Sequence, residues 1–463
     1  MAKSYITNDG TIHKIFINSG EGYIWPKNTN FSAIYASGLL IAAKISDSLR
    51  GVINYYNGEC YPGYVDYSSQ IPHGKNDPLY RIYKVSPDYP AGSGAYDSWS
   101  VWPVNQGAPW IDMNNNGIYE PPADKPLMKG NQNTFCRFTD GYPESHTSYG
   151  GHTLPLKADI LLYTYALSNQ QCADIHFLEY KIINKKNVRW DSTYIGFFSD
   201  IDLSQALYNK MGCDTNLNLG FCFHPTNYSN IYGTAPPALG MVLYNVSGHN
   251  GRYMDYFNHP VKNSYEPRNI HEAFNLLKGL KPDGSAWINP INNQATNYVL
   301  SGDPELGTGW LDNMSSDKRI LMCSKINTVL PLDTVKFYVA TIIKRGTNNL
   351  NSVTQLKYCI NLGVIGVKDP LVVIPKVFKL YQNFPNPFNP ITTIKYDIPI
   401  KTSVRIVIYD VLGRTVNTII NNQITEPGSH EIYWDGTNFA SGVYFYKIDT
   451  ESFSSFKKMI LLK

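Results

Sequence analysis

A chain of 463 residues exceeds one ordinary domain of roughly 100–200 residues, so several units and a sizeable core are expected. Forty basic against thirty-seven acidic residues leave a net charge of +3, and residues 377–463 carry nine basic and seven acidic, so no surface that tracks phosphate and no nucleic-acid partner is expected. The longest apolar stretch, "SGLLIAAKI" at 37–45, is far short of the ~20 residues a membrane-crossing helix needs, and 17% charged residues with 35 Tyr, 35 Gly and 29 Pro favour strands and turns, so an all-β fold without a membrane span is expected.

The chain opens "MAKSYITNDGTIHKIF", which lacks the apolar segment of a secretory signal peptide. Turn pairs recur: "NDG" at 8–10, "NG" at 57–58 and 116–117, "PDG" at 282–284 and "WDG" at 434–436, each expected to supply the positive-φ position of a tight hairpin. The segment "DMNNNGIYEPPAD" (112–124) places Asp112, Asn114 and Asn116 at positions 1, 3 and 5 of a calcium loop, Gly117 at the bend, the Ile118 carbonyl at 7 and Glu120 at 9. Position 12 falls on Ala123, one residue short of Asp124, so an EF-hand is not matched. A shorter Ca2+ loop of structural type and a plain Asn-Gly turn both remain open.

In "ESHTSYGGHT" (144–153), His146 and His152 lie six apart in a Gly-containing loop, a spacing poorly suited to zinc or catalysis. Trp99, Trp102, Trp110 and Trp310 are candidates for stacking on surface glycans, although core packing is the ordinary role of such residues. The runs "DILLYTYAL" (159–167), "FLEYKIINK" (177–185) and "TVKFYVATIIK" (334–344) read as strands. "SDIDLSQALYNKMGCD" (199–214) offers Asp200, Asp202 and Asp214 as a weaker acidic cluster, or as a solvated capping loop. "HEAFN" (271–275) lacks the second His of a zinc protease, and neither a nucleophile elbow nor a phosphate loop is present.

Seven cysteines occur without a C-x-x-C pair. Cys213 and Cys222 could bridge a hairpin, but buried thiols are the simpler expectation. "NSVTQLKYCINLG" (351–363) sets Val353, Leu356 and Ile360 on one face, predicting a helix capped by Asn351 or Ser352 and by Gly363. This single helix is expected to close a body of residues 1–363, a large β-sandwich with room for two subdomains; residues 364–376 read as a linker.

From 377 onward, strand signals crowd together, predicting seven strands in a small immunoglobulin-like sandwich. The prolines of "NFPNPFNP" (383–390) fix φ near about −65° and remove N–H donors, so this segment must be a stiff lead-in, with Phe384 and Phe388 as aromatic anchors. "LYQNFPNPFNPITTIKYDIP" (380–399), "VIYDVLGRTV" (407–416), "WDGTNFASGVYFYKI" (434–448) and "KKMILLK" (457–463) together resemble the type A C-terminal sorting domain of the type IX secretion system of the Bacteroidetes and their relatives. The resemblance implies recognition by the type IX machinery at the outer membrane and a secreted or cell-surface location. It also implies a sorting signal comprising Pro385, Asn386, Pro387, Phe388, Asn389, Pro390, Gly413, Gly442, Lys457 and Lys458. Such cargo crosses the inner membrane on a signal peptide, so an upstream segment is expected beyond Met1.

In the body, "FSAIYASGLLIAAK" (31–44), "YPGYV" (61–65), "GCDTNLNLGF" (212–221), "YGTAPPALG" (232–240), "SGDPELGTGWLD" (301–312) and "DKRILMCS" (317–324) resemble large secreted proteins carrying the same tail, a group that supplies no catalytic residues. The expected body is a noncatalytic structural, adhesive or binding module, with glycans or self-assembly as partners. The alternative is a secreted hydrolase acting on polysaccharide or protein.

Overall fold

The computed structural model describes residues 2–14, 22–54, 56–87, 97–114, 116–146, 153–167, 174–204, 206–249, 251, 253–258, 266–361, 377–383, 385–400, 402–425 and 428–462. Two compact units emerge, Met1–Val367 and Lys368–Lys463. The expected linker, 364–376, lies outside the described residues, as do Phe384 and Gly363.

In the first unit the long strands are β1 (Ala36–Ile45), β2 (Gln132–Thr139), β3 (Ala158–Leu167), β4 (Ile175–Asn184), β5 (Trp190–Asp200), β6 (Ala238–Val246), β7 (Arg319–Val329) and β8 (Thr334–Lys344). A nine-stranded antiparallel sheet runs Tyr83–Val85, β2, β3, β4, β8, β6, Leu219–Phe223, Lys210–Asp214, with Tyr61–Pro62 added beside β2. A six-stranded sheet runs Thr11–Ile12, β1, β5, β7, Tyr256–Asn258, with Ser48–Ile53 added beside β1.

Leu39 and Ile41 of β1, Phe197 of β5 and Met322 of β7 share one core with Leu162, Tyr180, Met241 and Val339 of the larger sheet. The alternate residues point outward and are also covered. Leu40, Phe198 and Leu321 pack on helix α1 (Ile270–Leu277) through Ile270, Ala273 and Leu276, while Phe177, Phe221 and Ile342 pack on helix α2 (Asn349–Asn361) through Val353 and Leu356. The layers are therefore helix, sheet, sheet, helix. Because both faces of each sheet are buried, the strands are nearly continuous apolar runs instead of clean alternations. Each fully buried large side chain contributes about 1.5–3 kcal/mol.

The predicted helix at 351–363 begins earlier: Asn348 accepts the Asn351 N–H at 2.8 Å and acts as the cap. A second helix, α1, was not expected. Its signal is Asn269-x-x-Glu272: Asn269 accepts the Glu272 N–H at 3.0 Å while the Glu272 carboxylate accepts the Arg268 N–H at 2.8 Å, a reciprocal N-terminal clasp.

In the second unit the strands β9 (Ile391–Ile398), β10 (Thr402–Asp410), β11 (Thr415–Thr425), β12 (Gly428–Asp435), β13 (Gly442–Asp449) and β14 (Ser454–Leu461) join Lys379–Leu380. They form a three-stranded sheet, Lys379–Leu380, β9, β12, and a four-stranded sheet, β11, β10, β13, β14. Ile394, Tyr396, Val404, Ile406, Tyr446 and Met459 fill the core of this small sandwich. Gly413 has φ 77° and serves the turn as expected. Gly436 does not adopt positive φ; it is small because a Cβ there would meet Leu461 Cδ2 at 3.0 Å and the Pro390 carbonyl oxygen at 3.1 Å.

Cys213 and Cys222 do lie on paired strands, but they oppose Gly220 and Met211, and both are buried free thiols. Cys60, Cys136 and Cys323 are likewise buried and free, whereas Cys359 of α2 is disulfide-bonded. Cys172 lies outside the described residues. Thiol titration of the unreduced, denatured protein should therefore count fewer than seven cysteines, rising to all seven after reduction. Seven before reduction would contradict the bridge.

Candidate functional site

The 112–124 loop is an exposed excursion between Trp110–Ile111 and Lys125–Pro126, which pair as a short ladder. Its side chains turn inward on their own backbone. Asp112 Oδ2 accepts the Gly117 N–H at 2.7 Å and Asp112 Oδ1 the Asn116 N–H at 3.3 Å; Asn116 Oδ1 accepts the Ile118 N–H at 2.7 Å. Glu120 Oε2 accepts from the amides of Asn114 (3.1 Å) and Asn116 (2.7 Å), so those three side chains meet. Gly117, at φ 74°, makes the bend. Asp124 stands apart: fully buried, it accepts the Met113 N–H at 2.9 Å and the Glu120 N–H at 2.8 Å, clasping the two arms of the loop. Ile118 is exposed, leaving the ring of polar side chains at the surface.

A different acidic group assembles at the end of the central strands of the six-stranded sheet. Asp200 ends β5 opposite Arg319, the first residue of β7. One carboxylate oxygen from each of Asp200, Asp202 and Asp317 lies within 4.8 Å of the others. Asp214, expected to join Asp200 and Asp202, instead pairs with Lys357 at 3.2 Å. Sequence reading missed Asp317 because it lies on the far side of a long connection and meets Asp200 only through the β5–β7 register. Arg319 donates to Asp200 Oδ2 at 3.3 Å and to Asp317 Oδ1 at 2.6 Å, and its Nε lies 3.1 Å from Glu266 and 2.9 Å from Tyr56 Oη. Burial pushes Asp200 up to about 6, with Arg319 opposing the shift.

Two buried polar clusters were not anticipated. His146 is walled in: Nε2 lies 2.9 Å from the Asp140 carbonyl and Nδ1 3.1 Å from Thr153 Oγ1, with the Glu59 and Asp140 carboxylates at 3.7 and 3.6 Å. His152 lies outside the described residues. Between the sheets, His13 Nδ1 is 2.9 Å from Ser37 Oγ, which is 2.7 Å from Ser199 Oγ, and His13 Nε2 is 3.4 Å from His176 Nδ1. Burial holds both rings well below the ordinary histidine range, His176 at about 4. His271 sits on α1, and no helix among the described residues is long and apolar enough to cross a membrane.

The tryptophans singled out for glycan stacking are structural in their surroundings. Trp99 and Trp102 are buried in the core beneath α2, Trp102 donating to the Pro109 carbonyl at 2.9 Å. Trp110 packs edge-on against Tyr119 at 5.5 Å, and Trp310 packs against the inter-sheet core.

In the small sandwich, the proline-rich lead-in is bonded along β14. The Phe388 N–H donates to the Ile460 carbonyl and the Leu462 N–H to the Phe388 carbonyl, both at 2.9 Å, while the Phe388 ring, 2% exposed, lies 5.5 Å from Trp434. Asn386 Oδ1 accepts the Ile460 N–H at 2.9 Å, and the Pro390 carbonyl accepts the Gly436 N–H at 2.8 Å. Asn383, which sequence reading passed over, is buried and ties the lead-in down: its N–H donates to Tyr446 Oη at 2.7 Å, and its amide donates to the Pro385 carbonyl and Thr392 Oγ1. Lys458 remains exposed, Lys457 half-buried, and Gly442 opens β13.

Residues 382–462 match the family model of the secretion system C-terminal sorting domain. This tail is the type IX sorting domain, and it marks the chain for export to the cell surface or medium by way of the type IX machinery. No curated protein matches the chain.

Glu59 is fully buried; Oε2 accepts the Ile53 N–H at 2.7 Å and Oε1 has no hydrogen-bond partner. Burial, reinforced by the Asp140 carboxylate, raises its carboxyl from 4.5 to about 8. The folded state therefore holds a proton that the unfolded chain releases once pH exceeds the ordinary carboxyl value, so this contribution is complete in acid and is lost as pH rises to about 8. Glu59→Gln has no proton to lose. Its melting temperature should fall less than that of the wild type between pH 5 and pH 8, overtaking it at the upper end; parallel curves would refute the assignment.

Proposed function

We propose that the protein is type IX cargo: a noncatalytic structural or adhesive body, residues 1–363, joined by residues 364–376 to an address domain of residues 377–463. The observation that carries this reading is the sorting-domain match over 382–462, together with a tail whose lead-in, turns and last strand are bonded into one sandwich. Seven strands in sheets of three and four support an immunoglobulin-like arrangement. The noncatalytic reading is supported by the fate of the reactive side chains: His13, His146 and His176 are enclosed in the core, and Trp99 and Trp102 serve packing. Adhesion would then use the outer surface, toward glycans or further copies of the chain.

A structural Ca2+ in the 112–124 loop belongs to this reading. Asp112, Asn114, Asn116 and Glu120 supply hard side-chain oxygens around the Gly117 bend, Ile118 supplies a carbonyl, and Asp124 clasps the arms. An ion there would hold an exposed loop closed against proteases outside the cell.

Two experiments test these statements. Deleting residues 382–462 should leave the body undelivered to the surface or medium; unchanged delivery would overturn the cargo assignment. Saturating Ca2+ should raise the melting temperature on the order of a few degrees and suppress cleavage within 112–124, and Asp112→Ala should abolish the protection of the loop. Cleavage indifferent to Ca2+ would remove the ion from the loop.

A further inference from the structure

We propose that Asp200, Asp202 and Asp317 bind one divalent cation of the oxygen-seeking class, calcium or magnesium, at the end of β5 and β7. This site shares no residue with the 112–124 loop and does not depend on it. The three carboxylates come from two chain segments, and one oxygen of each lies within 4.8 Å of the others. Oxygens around a single calcium ion, at roughly 2.3–2.6 Å from the metal, span at most about 5 Å, so the spacing fits one coordination sphere.

Two further observations point to a ligand. Asp200 is 5% exposed; its carboxylate is engaged by Arg319 through Oδ2 and by the Tyr56 hydroxyl, yet Oδ1 is buried with no partner in hydrogen-bond geometry. An unpaired carboxylate oxygen away from water is costly, and a bound cation would remove the cost. Asn209 is fully buried between the same two segments, its Nδ2 donating to the Ile201 carbonyl at 2.6 Å and its backbone bridging to Ser316, beside Asp317. That donor bond fixes the amide orientation, and the remaining Oδ1 also has no hydrogen-bond partner. Asn209, tied to Ile201 between two of the acids and to Ser316 before the third, thus adds a neutral oxygen donor to the same two segments, and hard cations take such a mixture of donors. Arg319 does not substitute for the ion, because its planar fork is spread over Asp200, Asp317 and Glu266 and reaches neither Asp200 Oδ1 nor Asn209 Oδ1. Bound there, a cation would tie the turn after β5 to the start of β7.

The test is calorimetric titration of the full chain, stripped with EDTA, with Ca2+ and separately with Mg2+. Asp112→Ala removes the loop from the reckoning and should leave one equivalent of binding to one of the two ions. Adding Asp202→Asn and Asp317→Asn should weaken that binding at least about tenfold, a loss seen even for changes outside the first coordination sphere. Far-ultraviolet circular dichroism establishes that the variants are folded; should the combined variant not fold, Asp202→Asn alone in the Asp112→Ala background decides by the same tenfold criterion. The proposal is overturned if Asp112→Ala protein binds neither ion, or if the folded cluster variant binds as tightly as its parent.

Discussion

Leu39, Ile41, Phe197 and Met322 meet Leu162, Tyr180, Met241 and Val339 across one dry interface, and the architecture of the body follows from keeping the far sides of both sheets dry as well. A sheet that buries one face can expose the other to water. Here neither sheet does so over its centre: α1 closes one outer face and α2 the other. The helices are short because their task is local cover. α1 needs only Ile270, Ala273, Leu276 and Leu277 to seal Leu40, Phe198 and Leu321. Removing either cover would expose a broad apolar surface, so the two helices are integral to the sandwich although they are a small part of the chain.

That dryness makes every polar group inside expensive unless it is bonded, and the body meets the demand in two ways. Where strands run side by side, polar residues form chains, as in His13, Ser37 and Ser199, whose ring and hydroxyls satisfy one another. Where strands end, acids take backbone N–H groups: Asp140 accepts from Leu156 and Ala158 at 2.6 Å each, and Asp124 accepts from both arms of its loop. Glu59, whose Oε1 is unbonded and whose carboxyl is pushed up by burial to about 8, departs from this pattern, and so does the end of β5. At the end of β5, Asp200 has one engaged and one unengaged oxygen, and Asn209, bonded to the Ile201 carbonyl, also keeps its amide oxygen unengaged. Asp140 has both oxygens bonded to backbone N–H groups, whereas Asp200 keeps one oxygen open next to two further carboxylates.

Legibility in the sequence follows the range of the contacts. The small sandwich could be read because its strands pair mainly with near neighbours in the chain, so its turns and alternations sit inside short windows: β10 with β11, and β13 with β14. Phe388 was legible as an anchor because prolines exclude other roles for its segment, whereas nothing local marked Asn383, whose bonds to Tyr446 and Thr392 exist only in the folded chain. In the body, Ala158–Leu167 and Thr334–Lys344 were recognisable as strands, but β4 pairs with β8 across more than a hundred and fifty residues, a partnership no local pattern encodes. Gly436 was misread for a related reason: a glycine next to Asp suggests a turn, and only the fold reveals Leu461 and Pro390 pressing on it.

The acidic cluster shows the same limit at the level of a site. Asp200, Asp202 and Asp214 look like one group in the sequence because they are close in the chain. The structure divides them by strand geometry: Asp214 lies at the end of the hairpin strand Lys210–Asp214 and pairs with Lys357 of α2, while Asp200 and Asp202 remain at the end of β5. Their third member arrives because β7 begins opposite the last residue of β5, which fixes Arg319 against Asp200 and brings Asp317 in with it. A site built by register is invisible to spacing arguments, yet it is set as firmly as the pairing itself, because slipping β7 by one residue would turn Leu321, now beneath α1, and Met322, now between the sheets, to the opposite faces. The apolar interface that orders the body thereby also fixes which carboxylates meet.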